Sequence, residues 1–142
     1  MGYEKMEEKQ VEYNDSELKF LEFIQNIITR MNSNSFSVKQ MTIMILSAIL
    51  AIYASVKNTN TLFITFLPII VFWFLDSYYL QQERIFRKLY DRAIERKTKL
   101  FDMSAIKNIS ECYCGVLFSK TILLFYLGTF MLNIFIIIII GA

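Results

Sequence analysis

The feature that most limits what this chain can become is a pair of long runs without charge. Between Gln40 and Leu75 the only ionised side chain is Lys57, and from Thr121 to Ala142 there is none. A soluble fold needs a polar face on each element to meet water, and runs of this length supply none. Hydrophobic residues fill 55% of the 142 positions against 20% charged, and the two runs are where that excess is concentrated. The chain has no His and only two Cys. That removes imidazole acid–base chemistry, His metal ligands and a disulfide framework. The sequence reads as a small all-α integral membrane protein rather than an enzyme, with no cofactor expected.

Charge divides the chain into four blocks. Residues 1–35 hold Lys5, Lys9, Lys19 and Arg30 against seven acids, a net −3. Residues 36–75 carry Lys39 and Lys57, residues 76–116 carry eight bases against six acids, and residues 117–142 add Lys120. The overall charge of +2 is uninformative, whereas its distribution is not. The first block is polar and acidic, without the basic start and apolar centre of a secretory signal. Met1-Gly2 suggests myristoylation, but Met6 stands where that motif wants Ser or Thr.

The pattern predicts an amphipathic helix over 16–31, capped by the Asn14–Glu17 stretch and carrying Leu18, Leu21, Ile24, Ile27, Ile28 and Met31 at helical spacing. Asn32-Ser33-Asn34-Ser35 is turn-prone and is expected to end it. A first crossing follows from Phe36 or Gln40 to Val56, with Lys39 snorkelling to the interface. After a polar turn at 57–60, a second crossing from Thr61 to Leu75 or Leu80 contains Pro68, which is expected to kink it. Trp73, Tyr78 and Tyr79 mark an aromatic belt at its exit. These two crossings form a helical hairpin.

Residues 76–100 contain neither Gly nor Pro, so the second helix is expected to run on into water. Phe86, Leu89, Tyr90 and Ala93 then form an apolar stripe, and Arg84, Lys88, Arg92 and Arg96 a basic one. Glu83, Arg87, Asp91 and Glu95 form a third line suited to Glu83–Arg87 and Arg87–Asp91 pairs. Residues 101–116 link to a third crossing from Val116 to Ile140. Basic residues concentrate in 1–35 and 76–116, which by the positive-inside rule are cytoplasmic, leaving the carboxyl terminus outside.

No catalytic constellation emerges: there is no phosphate-binding Gly loop and no nucleophile–base pair. Cys112-x-Cys114 reads as reduced thiols beside a membrane helix, with acylation as the alternative, since two thiols cannot close a tetrahedral metal site. Asn133 within the last crossing reads either as interhelical glue or as a pore-lining amide, and Thr42, Ser47, Tyr53, Ser55 and Thr65 carry weaker versions of the same ambiguity, because hydroxyls can bond their own helix backbone. The run from Phe135 through Ile136 to Ile140 reads as a lipid-facing helix end or, in an oligomer, as a ring that gates by dewetting. The basic residues Arg84, Arg87, Lys88, Arg92 and Arg96 suit anionic lipid, plain solvation or an anionic ligand. Asp76 is expected either to face water at the interface or to pair with Lys39 or Lys120.

Two stretches carry a resemblance. One is Arg30-Met31-x-x-Asn34-Ser35-Phe36-x-x-Lys39; the other is Phe72-Trp73-x-Leu75-Asp76-x-Tyr78-Tyr79-Leu80-x-x-Glu83-Arg84-x-Phe86-Arg87-x-Leu89-Tyr90-Asp91. Together they make residues 18–95 resemble small bacterial membrane effectors of the SLATT type and the membrane partner of the nucleotidyltransferase in the Hailong anti-phage system. The resemblance implies a homo-oligomer of the bacterial inner membrane, for instance a tetramer. It also implies that this oligomer conducts ions when a nucleotide or oligonucleotide made by a partner nucleotidyltransferase changes. The acidic start and the third crossing lie outside the matched motifs. A non-conducting anchor that docks a partner on the apolar stripe is the competing expectation.

Overall fold

The structure is a computed structural model that describes residues 13–141 and, for residues 140 and 141, the backbone alone. The charged residues from Glu4 to Glu12 and the Met1-Gly2 reading lie outside the described residues. Among the described residues five α-helices follow in order: α1 Asp15–Val56, α2 Asn60–Phe63, α3 Phe66–Ile94, α4 Tyr113–Leu117 and α5 Lys120–Gly141. A 3-10 segment, Met103–Asn108, sits between α3 and α4. Among the described residues three stretches are long and apolar enough to cross a membrane: α1, the α2–α3 stretch Asn60–Ile94, and Lys120–Ile139 within α5.

α1 starts where the sequence predicts, with the Asn14 N–H donating to the Glu17 carboxylate at 2.8 Å as in a capping box. It does not stop at Asn32–Ser35. The helix runs through that stretch without a break and continues to Val56, 42 residues in all. Its polar residues are absorbed locally: Ser37 donates to the Ser33 carbonyl at 2.9 Å and Thr29 to Gln25 at 3.0 Å. Ser35 is held from outside, because its hydroxyl donates to the Asp76 carboxylate on α3. Contact with the neighbouring helix therefore overrides a weak local turn preference.

α1 and α3 lie antiparallel along their lengths. Glu17 meets Arg96 at one end and Ser35 meets Asp76 further along, so the pairing keeps one register across both polar and apolar halves. α1 closes with Lys57 in the left-handed region at φ 52°, its N–H bonded to the Tyr53 carbonyl at 2.7 Å. The distortion expected at Pro68 takes the form of a break: the second crossing is interrupted at Ile64–Thr65, between α2 and α3, just before the proline. Pro68 stands third in α3, inside the first turn, where its missing N–H had no helical partner to lose.

α3 ends at Ile94, earlier than the expected run to residue 100. Arg96 turns left-handed at φ 55°, and the N–H groups of Arg96 and Lys97 bond back to Ala93 at 3.1 Å and Arg92 at 2.9 Å. That is a Schellman closure with Arg in the place usually taken by Gly. The segment that follows folds back along α3 rather than away from it. Four bonds fasten it there: Lys88 to the Ser110 carbonyl at 3.3 Å, Gln81 to Glu111 at 2.8 Å, Tyr113 to Phe74 at 2.8 Å, and the Trp73 indole to Leu117 at 3.1 Å. Val116 belongs to α4 and is buried, and the third long helix begins at Lys120.

Two apolar cores result. In the polar half of the molecule Phe20, Ile24, Ile28, Leu89 and Ile109 pack together, with Phe86, Tyr90 and Ala93 against them. In the apolar half Ile69, Ile122 and Tyr126 form a smaller core flanked by Leu46, Phe72 and Trp73.

Candidate functional site

The apolar half of the molecule contains buried polar side chains, and they gather at two levels. At the upper level, near the polar half, three helices converge on Asp76, whose side chain is fully buried. α1 supplies Ser35 to one carboxylate oxygen and Lys39 Nζ to the other at 2.6 Å, and Lys39 Nζ also donates to Ser35 at 2.8 Å. Lys39, not Lys120, is therefore the partner of Asp76. α5 brings Tyr126 to the same place, with its hydroxyl beside Thr42 and Asp76. A carboxylate in an apolar span is tolerated only with such partners.

At the lower level Asn133 of α5 donates to the Thr65 hydroxyl at 2.6 Å. Thr65 in turn donates to the Leu62 carbonyl at the break between α2 and α3. Between the two levels α1 and α5 stand apart. The cleft there, about 320 Å³ and mostly apolar, is lined by Ile43, Leu46, Ser47, Leu50, Phe125, Thr129, Leu132, Asn133 and Ile136. An adjoining hollow shares Thr129 with it and reaches Lys39. Together the two follow α5 from the level of Lys39 to Asn133 as one groove with a mostly apolar lining, interrupted by the hydroxyls of Ser47 and Thr129 and the amide of Asn133. Phe135 points away from the packed face and is 61% exposed. The side chain of Ile140 lies outside the described residues.

In the polar half the expected basic surface is dispersed. Glu83 pairs with Arg87 at 2.7 Å, but Asp91 has no ion-pair partner among the described residues. Lys88 pairs with Glu111 at 2.8 Å. Arg96 has left the helix and meets Glu17 at 3.0 Å, with its guanidinium 5.5 Å from the centre of the Tyr13 ring. Among the described residues Arg84 and Arg92 alone of the stripe stay without an ion-pair partner. The Asn14 N–H, together with Arg96, holds the Glu17 carboxyl below the usual glutamate range. Hydrogen bonds from Ser104 do the same for Asp102.

The sequence singled out Lys39, Asp76 and Asn133, with Thr65 as a weaker candidate of the same kind as Asn133, but missed Ser35 and Tyr126. Ser35 had a usable signal, since it lies one helical turn before Lys39. Tyr126 had none, because Asp76 stands 50 positions away in sequence, and nothing local paired Thr65 with Asn133, 68 positions on. Cys112 and Cys114 are both exposed, and among the described residues no three His, Cys, Asp or Glu side chains gather in a way that could hold a metal.

Fold and site together define an all-helical protein with three helices able to span a membrane, fastened to one another by buried polar pairs. Compared with family models, curated proteins and solved structures, the chain gives no match.

Proposed function

We propose that the protein is a pore-forming effector of the bacterial inner membrane, assembled from several copies, that conducts ions under control of its polar half. The observation that supports this reading is the groove from Lys39 to Asn133. Ser47 and Thr129 line it while bonding only their own helix carbonyls, Ile43 at 2.9 Å and Phe125 at 2.7 Å. Oxygen atoms along a groove in an apolar span suit water or a neighbouring subunit better than lipid. Three helices of one chain do not enclose a channel; copies arranged around an axis, a tetramer for example, would each contribute one groove.

The control signal proposed is a nucleotide or oligonucleotide from a partner nucleotidyltransferase, with anti-phage defence by membrane depolarisation as the setting. Both come from the resemblance in the Arg30–Lys39 and Phe72–Asp91 motifs. The amino terminus and the α3 end would be cytoplasmic, by the distribution of Lys and Arg. The anchor reading needed the stripe Phe86, Leu89, Tyr90 and Ala93 as its docking face. That stripe is packed against α1 within the chain, and Leu89 has no exposed surface.

The test is ion efflux from sealed liposomes holding the purified protein, with candidate nucleotides and the partner enzyme added in turn. Efflux that Asn133→Leu alters at unchanged oligomer size is the expected result. Liposomes that stay tight under every addition overturn the pore.

A further inference from the structure

Besides the groove, α5 borders two further hollows at the end where it begins. The first, about 280 Å³, lies between α3 and α5 and is walled by Ile69, Ile70, Trp73, Leu123, Leu127 and Phe130. The second, about 510 Å³, is formed by α5 alone, with Lys120 at one end and Leu124, Gly128 and Met131 along it. Gly128 leaves it open, since nothing stands within 4 Å of the place a Cβ would take there. Leu123 and Leu127, one helical turn apart, line both hollows, so the two flank a single ridge. Leu124 is 80% exposed, and no other part of the described chain covers this face. The Trp73 ring is fixed at its upper edge by the bond to the Leu117 carbonyl and by the Phe118 ring standing edge-on at 6.0 Å.

Lys120 is the only ionised side chain from residue 117 to residue 142. It is exposed, and among the described residues it has no ion-pair partner. The acids on the adjoining segments are committed elsewhere, Asp76 to Lys39 at 2.6 Å and Glu111 to Lys88 at 2.8 Å. A second copy seated on this face would bring no counter-ion in its own α5, which contains neither Asp nor Glu. An anion at the depth of an interfacial tryptophan, above two apolar hollows, is the description of a lipid phosphate. We propose that this face binds one anionic phospholipid, with its phosphate at Lys120 and its two acyl chains in the two hollows, astride the Leu123–Leu127 ridge. Filling both hollows with hydrocarbon restores the close contacts that an empty wall forfeits, and the lysine selects the headgroup. The proposal requires that the chain lie in a bilayer and takes nothing from the pore reading.

Trp73 is the chain's single tryptophan and lines the first hollow, so its fluorescence reports contact there directly. The experiment reconstitutes the purified protein in phosphatidylcholine liposomes doped with phosphatidylglycerol or phosphatidylcholine that is brominated along its acyl chains, because bromine quenches an indole it touches. Brominated phosphatidylglycerol should quench at a mole fraction about fivefold lower than brominated phosphatidylcholine, the effect of one lysine at an anionic surface. Lys120→Gln should bring the two curves together and leave that of phosphatidylcholine where it was, whereas Lys120→Arg should keep them apart. Ile70→Phe, which fills the first hollow, should weaken quenching by both lipids. Salt at about 1 M, where screening acts over ~3 Å, should shrink the preference in the unmutated protein, and this arm serves if Lys120→Gln does not fold. Equal quenching by the two lipids overturns the proposal, as does a preference that survives Lys120→Gln or high salt, or an Ile70→Phe protein quenched as before. Quenching by neither lipid overturns it in favour of a second copy covering the face.

Discussion

Asn133 and Thr65, 68 positions apart, meet at 2.6 Å where α5 passes the start of α3. The bond ties the third long helix to the hairpin at the break between α2 and α3. Asn133→Leu deletes the donor but leaves Thr65 bonded to the Leu62 carbonyl, so no buried group is orphaned. The loss should be modest, about 0.6–2 kcal/mol. Unfolding in mixed micelles with increasing SDS measures it.

The Lys39–Asp76 pair should respond asymmetrically. Lys39→Ala leaves a carboxylate with no exposed surface and no cation, at a cost of roughly 3–5 kcal/mol. The reverse change, Asp76→Ala, should cost less, because the Lys39 side chain is 19% exposed and its flexible stem can carry the ammonium toward the interface. The same micelle titration ranks the two. Equal losses would contradict the account.

Glu17 makes the far end of the helix pair sensitive to acid. Its carboxyl titrates below the ordinary glutamate value because Asn14 N–H and Arg96 favour the charged form. Its contribution is therefore complete above the unfolded-state value and is lost as pH falls through the lowered native one. Hydrogen exchange of the amides at the start of α1 should speed up over that acidic interval. In Glu17→Gln the same amides should exchange faster already at neutral pH and show little further change on acidification.

Leu89 is the centre of the core between α1 and α3, with no exposed surface. Leu89→Ala should cost roughly 2–5 kcal/mol. The loss should appear as protease sensitivity in the polar half, with the apolar spans still protected by the micelle.

Pro68 should prove nearly silent. In the first turn of α3 it displaces no hydrogen bond, so Pro68→Ala should destabilise by less than about 1 kcal/mol, through the unfolded chain alone. A clear gain in stability would mean that the residue strains the helix after all.

The hairpin and the last long helix were legible in the sequence because an apolar span announces itself by the absence of charge, and Lys39, Lys57 and Asp76 mark its limits. The turn expected at Asn32–Ser35 was not there. Those four residues favour a turn only weakly, and the Ser35–Asp76 bond is invisible until α3 is laid beside α1. The basic stripe failed at Arg96 for a related reason. Spacing by four assumes that the helix continues, and nothing local to Glu95-Arg96-Lys97 showed that an Arg would adopt the backbone usually left to Gly. The apolar stripe at Phe86, Leu89, Tyr90 and Ala93 was expected to dock a partner; it packs against α1 of the same chain instead, which periodicity does not reveal.

The unbroken run of α1 has a mechanical consequence. At 1.5 Å per residue its 42 residues span about 63 Å. A chain hinged at Ser35 would let the part beyond the bilayer swivel while the buried part stayed still. A rod without a joint has no place to absorb torsion. Twist applied near Glu17 therefore reaches Lys39 and then Ser47 as the same rotation, and the wall of the groove turns with it.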